Sequence, residues 1–350
     1  MNSSETGKAG PELRVVAIGG GTGLSTLLKG LKRYVMTPAL APSGQPTIRE
    51  LSGVVTVSDD GGSSGRLRKE FNMLPPGDVR NCIVALSEDE ALLSRLFQHR
   101  FQKGSGLEGH SFGNLFLAAL TSITGDFAEA VRLSSEILLT RGRIFPATMS
   151  SVELEALLED GERVRGETRI TASKGKIQEL VLVPPDVEPL PQTLEAIASA
   201  ELITIGPGSL FTSLIPNLLV RGIPEAILDS PAVKVFVCNL MTQANESLGI
   251  TASDHIRALN HHADHQADIR LFDYALINRT PASPEMKAKY ALEGASQVVV
   301  DLTAIRALGV RPLLGDYLEQ GAVVRHATDR VAHDLMALMA RPPDRQPIRS

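Results

Sequence analysis

Val15-Val16-Ala17-Ile18-Gly19-Gly20-Gly21-Thr22-Gly23-Leu24-Ser25 decides the fold: a short apolar run empties into glycines, and helical periodicity follows at once, with Leu24, Leu27, Leu28 and Leu31 on one face. Strand, glycine turn and helix in that order open an α/β unit. The pattern returns at Leu202-Ile203-Thr204-Ile205-Gly206-Pro207-Gly208-Ser209-Leu210. Between the two, Gly53 to Val57 runs into Ser58-Asp59-Asp60-Gly61-Gly62-Ser63-Ser64-Gly65-Arg66-Leu67-Arg68, a strand ending in acids, glycines, hydroxyls and arginines. Ligands of open α/β sheets bind at the carboxyl edge of the strands, so the glycine loops are expected to face each other there and hold an anion.

The 350 residues are 43% hydrophobic and 21% charged, with a formal charge of -5, the profile of an ordinary globular protein. No clustered basic face points to nucleic acid. Aromatic residues make up only 4% and Trp is absent, so the core is built from Leu, Val, Ile and Ala, the usual filling of a parallel sheet. Cys82 and Cys238 are too few for a disulfide framework or metal cluster and read as reduced and buried. The polar N-terminus lacks a secretory pattern and no apolar run is long enough to span a membrane, so a cytoplasmic protein without membrane insertion is expected.

Strand-like and helix-like stretches alternate in the rhythm of an α/β fold with a doubly wound, mostly parallel sheet. After the Asp-Gly loop, Asp78 reads as the N-cap of a helix reaching Leu86, and Glu90 to Phe101, Phe112 to Ser122 and Asp126 to Leu139 complete an inserted helical block. A β-rich insertion over about residues 144–190 carries a small hairpin, Val164 to Thr171 and Lys176 to Val183, turning at Ser173-Lys174-Gly175. Strands are then predicted at Leu202 to Ile205, Val233 to Cys238, Tyr274 to Ile277, Val298 to Val300 and Ala322 to Arg325, and a last helix from Thr328 to Met339. The reading is one domain over residues 13–340, flanked by disordered tails at 1–12 and 341–350.

The first loop matches neither the dinucleotide G-x-G-x-x-G pattern, since the sixth position from Gly19 or Gly21 is Leu24 or Thr26, nor the P-loop. Gly20, Gly21, Thr22 and Gly23 can still aim backbone N–H groups and a helix N-terminus at an anion. Gly206, Gly208, Ser209 and Thr212 offer the same with hydroxyls, or simply cap a helix. Asp59 and Asp60 can coordinate Mg²⁺ beside a phosphate, or serve as turn residues that pair with Arg66, Arg68 or Arg80. Arg80 and Asn81 stand at a helix start, where Arg80 can fork onto a phosphate. Gly109-His110-Ser111-Phe112-Gly113-Asn114 is a further polar helix start with His110 as donor, acid–base group or plain cap. Asn239, Thr242 and Gln243 follow another strand and suit base or sugar recognition. His255, His261, His262 and His265 lack a metal-binding context and read as an exposed helix face.

Ile18 to Leu24, Asp59 to Arg68, Pro75 to Asn81, Gly109 to Asn114, Gly206 to Ser213 and Asn239 to Gln243, in this order, resemble the gluconeogenesis factor family, relatives of 2-phospho-L-lactate transferase, over nearly the whole chain. The resemblance implies a Rossmann-like fold and a cytoplasmic protein of bacterial morphogenesis and carbon-source adaptation that binds UDP-sugars such as UDP-N-acetylglucosamine. On this reading no cofactor is required. The glycine loops cradle the diphosphate, with Ser63, Ser64, Arg66, Arg80, Asn81, His110 and Asn114 nearby, and Tyr290 and Arg325 belong to the nucleotide-sugar site, for stacking and for charge. The transferase relatives imply the alternative: a Mg²⁺-dependent phosphoryl-group transferase in which Asp59 and Asp60 are catalytic and metal-binding. A scaffold acting through its surface is a third reading, and a homodimer is the assembly expected from the family. The family's Met-Thr-Gln-Pro-Gly-Glu-Thr stands here as Met241-Thr242-Gln243-Ala244-Asn245-Glu246-Ser247, which alters the stiffness of that wall.

Overall fold

The computed structural model describes residues 10–88, 92–173, 175–244, 246–264 and 269–340. Residues 1–9 of the tail expected at 1–12, the tail expected at 341–350, the helix start at Glu90, and Lys174, Asn245 and His265 lie outside them, and Glu12 of the first expected tail already opens the first strand.

Seven parallel strands form the central sheet: β1 (Glu12–Gly19), β2 (Thr47–Val55), β3 (Arg143–Pro146), β7 (Leu202–Ile205), β8 (Val233–Val237), β9 (Tyr274–Asn278) and β10 (Arg311–Gly315), in the order β10-β9-β8-β7-β1-β2-β3. The chain builds outward from β1 through β2 to β3, then returns to β1's other side with β7 and builds the opposite way. The switch point therefore lies between β1 and β7, and both glycine loops leave from those strands. Ile18 pairs with Ile205, so the loops leave the sheet at the same height.

Helices pack on both faces. One layer holds α1 (Gly21–Leu31), α3 (Gly77–Leu86), α5 (Phe112–Thr124), α6 (Phe127–Ile137) and α14 (Thr328–Ala340), with α2 (Gly62–Phe71) and α4 (Leu92–Gln98) against α5. The other holds α8 (Pro191–Ser199), α9 (Ile215–Leu218), α10 (Ile223–Asp229), α11 (Ala252–Ala263) and α13 (Leu302–Ala307). The β1 stretch Val15 to Ile18 is buried throughout, as a strand covered on both faces must be, and its apolar run reflects that. Cys82 and Cys238 are free thiols within the core.

The insertion differs from the expected hairpin. It is a three-stranded antiparallel sheet, β4 (Glu153–Leu158), β5 (Arg163–Arg165) and β6 (Ile177–Val183), in the order β5-β4-β6, with helix α7 (Glu167–Ala172) after β5. The segment Val164 to Thr171 is thus a strand end followed by a helix, because Gly166, at φ 98°, breaks the extended run. In β4, Leu154, Ala156 and Leu158 face inward while Glu153, Glu155 and Leu157 are half-buried, a period-2 pattern hidden in helix-forming residue types.

Three further expectations are corrected. Val298 to Val300 lies outside the strands, with Val299 and Val300 exposed. The strand near Arg325 is β12 (Val324–His326), which pairs with β11 (Leu318–Gln320) in a separate ribbon ahead of α14. His255 and His262 are buried rather than exposed: His262 Nε2 accepts the Leu180 N–H of β6 at 3.1 Å, tying the inserted sheet to α11, and His255 Nδ1 lies 2.8 Å from the Thr251 carbonyl.

Candidate functional site

At the carboxyl ends of β1, β7 and β8 a cavity of about 230 Å³ opens, lined in part by Thr22, Gly23, Gly208, Ser209, Asn239, Gln243, Tyr290 and Arg325. The α1 turn, the β7 loop, the β8 end, α12 (Pro284–Leu292) and the β12 ribbon each supply part of that wall. Thr26, Pro207, Leu240, Met241, Val324 and His326 complete it; the sequence reading gave none of them a role of its own, although all but Thr26 lie in the stretches Gly206 to Ser213, Asn239 to Gln243 and Val324 to His326 that it assigned to the site. Their signals were faint: Thr26 stands one helical turn beyond Thr22, and His326 adjoins Arg325 on a strand of three residues.

Side-chain bonds hold the wall in shape. Asn239 accepts from the Gly208 N–H at 3.1 Å and donates to the Gly208 carbonyl at 2.7 Å, locking the second glycine loop to the β8 end. Gln243 donates to Ser209 Oγ at 2.8 Å, and the Val324 N–H donates to Tyr290 Oη at 3.0 Å, which fixes the ring against β12. Arg325 is exposed at the rim. Among the described residues the lining contains no carboxylate, so Arg325 gives it a net positive character.

The remaining candidates fall elsewhere. Gly206, at φ 85°, makes the turn out of β7, while Thr242 is buried and exchanges hydrogen bonds with Ser296. Thr212 donates to Glu246, which Thr171 of α7 also contacts. The first turn of α1 divides the two regions. Thr22 and Gly23 face the cavity, whereas a Cβ at Gly20 would lie 2.7 Å from Thr56 and 2.9 Å from Asp78. The Gly21 N–H, expected to serve an anion, donates to Asp78 Oδ2 at 2.7 Å. Asp78 is therefore not the N-cap of α3; Pro76 holds that position, and the carboxylate reaches across to the neighbouring helix start.

Behind Asp78 lies a second polar region at the N-termini of α2, α3 and α5. Ser63 Oγ sits 3.0 Å from His110 Nδ1 and accepts from Asn114 Nδ2 at 3.1 Å, all three side chains being buried. Ser64 packs on Gly77, where a Cβ would come within 2.4 Å of its hydroxyl. Arg80, also buried, is committed to Ser111 and to Asn81 Oδ1, and burial lowers its pKa. Arg66 is exposed and donates to the Glu108 carbonyl at 2.8 Å.

Asp59 and Asp60 diverge. Asp59 accepts from the Gly61 N–H at 2.8 Å and closes the glycine turn, while Asp60 accepts from the Thr168 N–H at 2.9 Å and from its hydroxyl, tying α7 to the loop. The arginine partners considered for the pair, Arg66, Arg68 and Arg80, are bonded to other groups. Carboxylates nevertheless crowd this region. Burial, then Asp59, Asp78, Asp60 and Glu246, push the Glu167 carboxyl up to about 9. Burial and Asp59 push Asp78 up to about 6. Among the described residues, no three His, Cys, Asp or Glu side chains converge in a way that could hold a metal ion.

Fold and site define a doubly wound α/β protein with a cavity at its topological switch point whose described lining holds polar groups and no carboxylate. Residues 15–318 match the 2-phospho-L-lactate transferase CofD family, and the chain belongs to it. It is 49% identical to a gluconeogenesis factor of Halalkalibacterium halodurans over 92% of this chain and 95% of that protein. Identity with the Bacillus subtilis gluconeogenesis factor is 45%, covering 94% of this chain and 99% of that one. A crystal structure of a UPF0052-family protein from Bacillus halodurans is similar, at 47% identity and a TM-score of 0.85, over 93% of this chain and 99% of that chain.

Proposed function

We propose that this protein binds a nucleotide sugar of the UDP-N-acetylglucosamine type in the switch-point cavity and acts as a cytoplasmic regulator of cell morphogenesis and carbon-source use. The observation that carries the reading is the composition of the cavity wall. Backbone N–H groups of Thr22 and Gly23 and the hydroxyls of Thr22 and Ser209 line the cavity together with Tyr290 and Arg325, and among the described residues no carboxylate in the lining opposes a diphosphate. Donors of this kind bind phosphate oxygens without requiring a metal. Relatives named gluconeogenesis factor support the regulatory half of the reading.

The test is calorimetric titration of UDP-N-acetylglucosamine. Arg325→Ala is expected to weaken binding by about 1–3 kcal/mol, the scale of a lost charge-assisted hydrogen bond. Unchanged affinity in Arg325→Ala would remove this cavity from the account.

The family's transferase name gives the second reading, a phosphoryl-group transferase centred on Asp59 and Asp60. The two carboxylates are bonded to Gly61 and Thr168 rather than turned to a common point, so as they stand they do not fit a shared metal ion. Turnover of a nucleotide phosphoester that Asp60→Asn abolishes would favour this second reading over the first.

A further inference from the structure

The cavity has two chemically different ends, and the sheet sets their order. Neighbouring strands lie about 4.8 Å apart, so the wall passes from the β1 and β7 loops, with Thr22, Gly23, Gly208 and Ser209, to the β8 end and the β12 ribbon. The first end is rich in donors and suits phosphate. Leu240, Met241, Tyr290 and Val324 give the second end the apolar and aromatic surface that a flat ring requires.

His326 stands in the wall of that second end. Its Nε2 lies 3.0 Å from the backbone carbonyl of Cys238. A carbonyl oxygen only accepts, so Nε2 carries the proton and Nδ1 is left with its lone pair. Burial holds the imidazole down to about 4, so the ring is neutral and Nδ1 an acceptor at neutral pH. Among the described residues Nδ1 has no hydrogen-bond partner, and it is not one of the sealed polar atoms; His255 Nε2, by contrast, is buried without a partner. The ring thus presents an acceptor of fixed tautomer in the half of the cavity that suits a base.

We infer that His326 reads the base of the bound nucleotide by accepting a hydrogen bond from a ring N–H, and so selects uracil over cytosine. This rests on the nucleotide reading of the cavity. Uracil carries a ring N–H between its two carbonyls. Cytosine carries a lone pair at the same ring position, which would face the lone pair of Nδ1. His326 touches the base under this assignment and takes no part in bond making or breaking.

The experiment is a calorimetric series on the wild-type protein with UDP-N-acetylglucosamine, UDP, CDP, the N3-methyl analogue of UDP and 2′-deoxy-UDP. UDP is expected to bind at least about tenfold more tightly than CDP or the N3-methylated analogue, and 2′-deoxy-UDP about as tightly as UDP. His326→Phe, which keeps the ring but removes the acceptor, should bring UDP down to the affinity of CDP. Equal binding of UDP, CDP and the methylated analogue would overturn the role of His326 while leaving the cavity assignment standing. The same equality with weakened 2′-deoxy-UDP binding would also overturn it, by moving the contact to the ribose. Failure of every nucleotide to bind would overturn both readings together. The wild-type series decides the matter even if the variant folds poorly.

Discussion

Gly23 sits where the two glycine loops touch. A Cβ built there would lie 2.2 Å from the Pro207 carbonyl oxygen, and neither group is a flexible side-chain tip. Gly23→Ala must therefore push the α1 turn and the β7 loop apart, at a cost of about 1–3 kcal/mol typical of overpacking. Denaturant unfolding should show that loss, together with weaker binding in the cavity. A variant as stable as the parent would mean that the loops are not in contact. At this scale the sequence was informative wherever a residue type is rare for a physical reason. Glycines after strands, and Asn239 and Gln243 at a strand end, mark the cavity because the backbone must turn there and be braced. Ser63, His110 and Asn114 carry equally suggestive chemistry but spend it on one another inside the protein, and Arg80 spends its own on Ser111 and Asn81; no local pattern reveals where a side chain's partner will be.

The N-terminus of α1 shows how one element answers to another. Its Gly21 N–H is taken by Asp78 of α3, whose carboxyl is pushed up by burial and by Asp59, and Glu167 of α7 is pushed up further by burial and the same neighbours. In the unfolded chain both groups ionise near pH 4; in the folded chain they keep protons until about 6 and about 9. The folded state thus binds more protons across this window. The stability they contribute is complete below about pH 4 and is lost as pH rises through the folded values. Glu167→Gln, which cannot ionise, is expected to match the parent at or below about pH 4 and to exceed it by several kcal/mol near pH 9 in denaturant unfolding. A variant less stable than the parent at pH 9 would show that ionised Glu167 is held by a partner. Strands covered on both faces, β1, β7, β8 and β9, were legible because each carries a largely apolar run, such as Val15 to Ile18 in β1 and Val235 to Val237 in β8. The edge strands β3 and β10 were not: each is short, begins with Arg and contains Pro, which an edge tolerates and a central strand does not. Val298 to Val300 misled for the opposite reason, being apolar in type yet outside the strands.

For the molecule as a whole, strand order does the placing. Because the chain reverses its direction of growth between β1 and β7, the two loops meet at the one point of the sheet edge where helices on opposite faces diverge. The inserted sheet, anchored through His262 and through the Thr168 and Thr171 contacts of α7, closes over the acidic region rather than the cavity. That arrangement was not legible in sequence, since it depends on contacts between residues 60 and 168 and between 180 and 262. It leaves the cavity open to a ligand while the carboxylates are held apart from it. The most direct test of this account is calorimetric titration of the purified protein with UDP-N-acetylglucosamine, with and without Mg²⁺, followed by recovery of the ligand. Binding at one site per chain, independent of Mg²⁺ and with the ligand returned intact, is the predicted result. Binding that requires Mg²⁺, or a ligand returned cleaved, would contradict it and give the protein to the transferase reading.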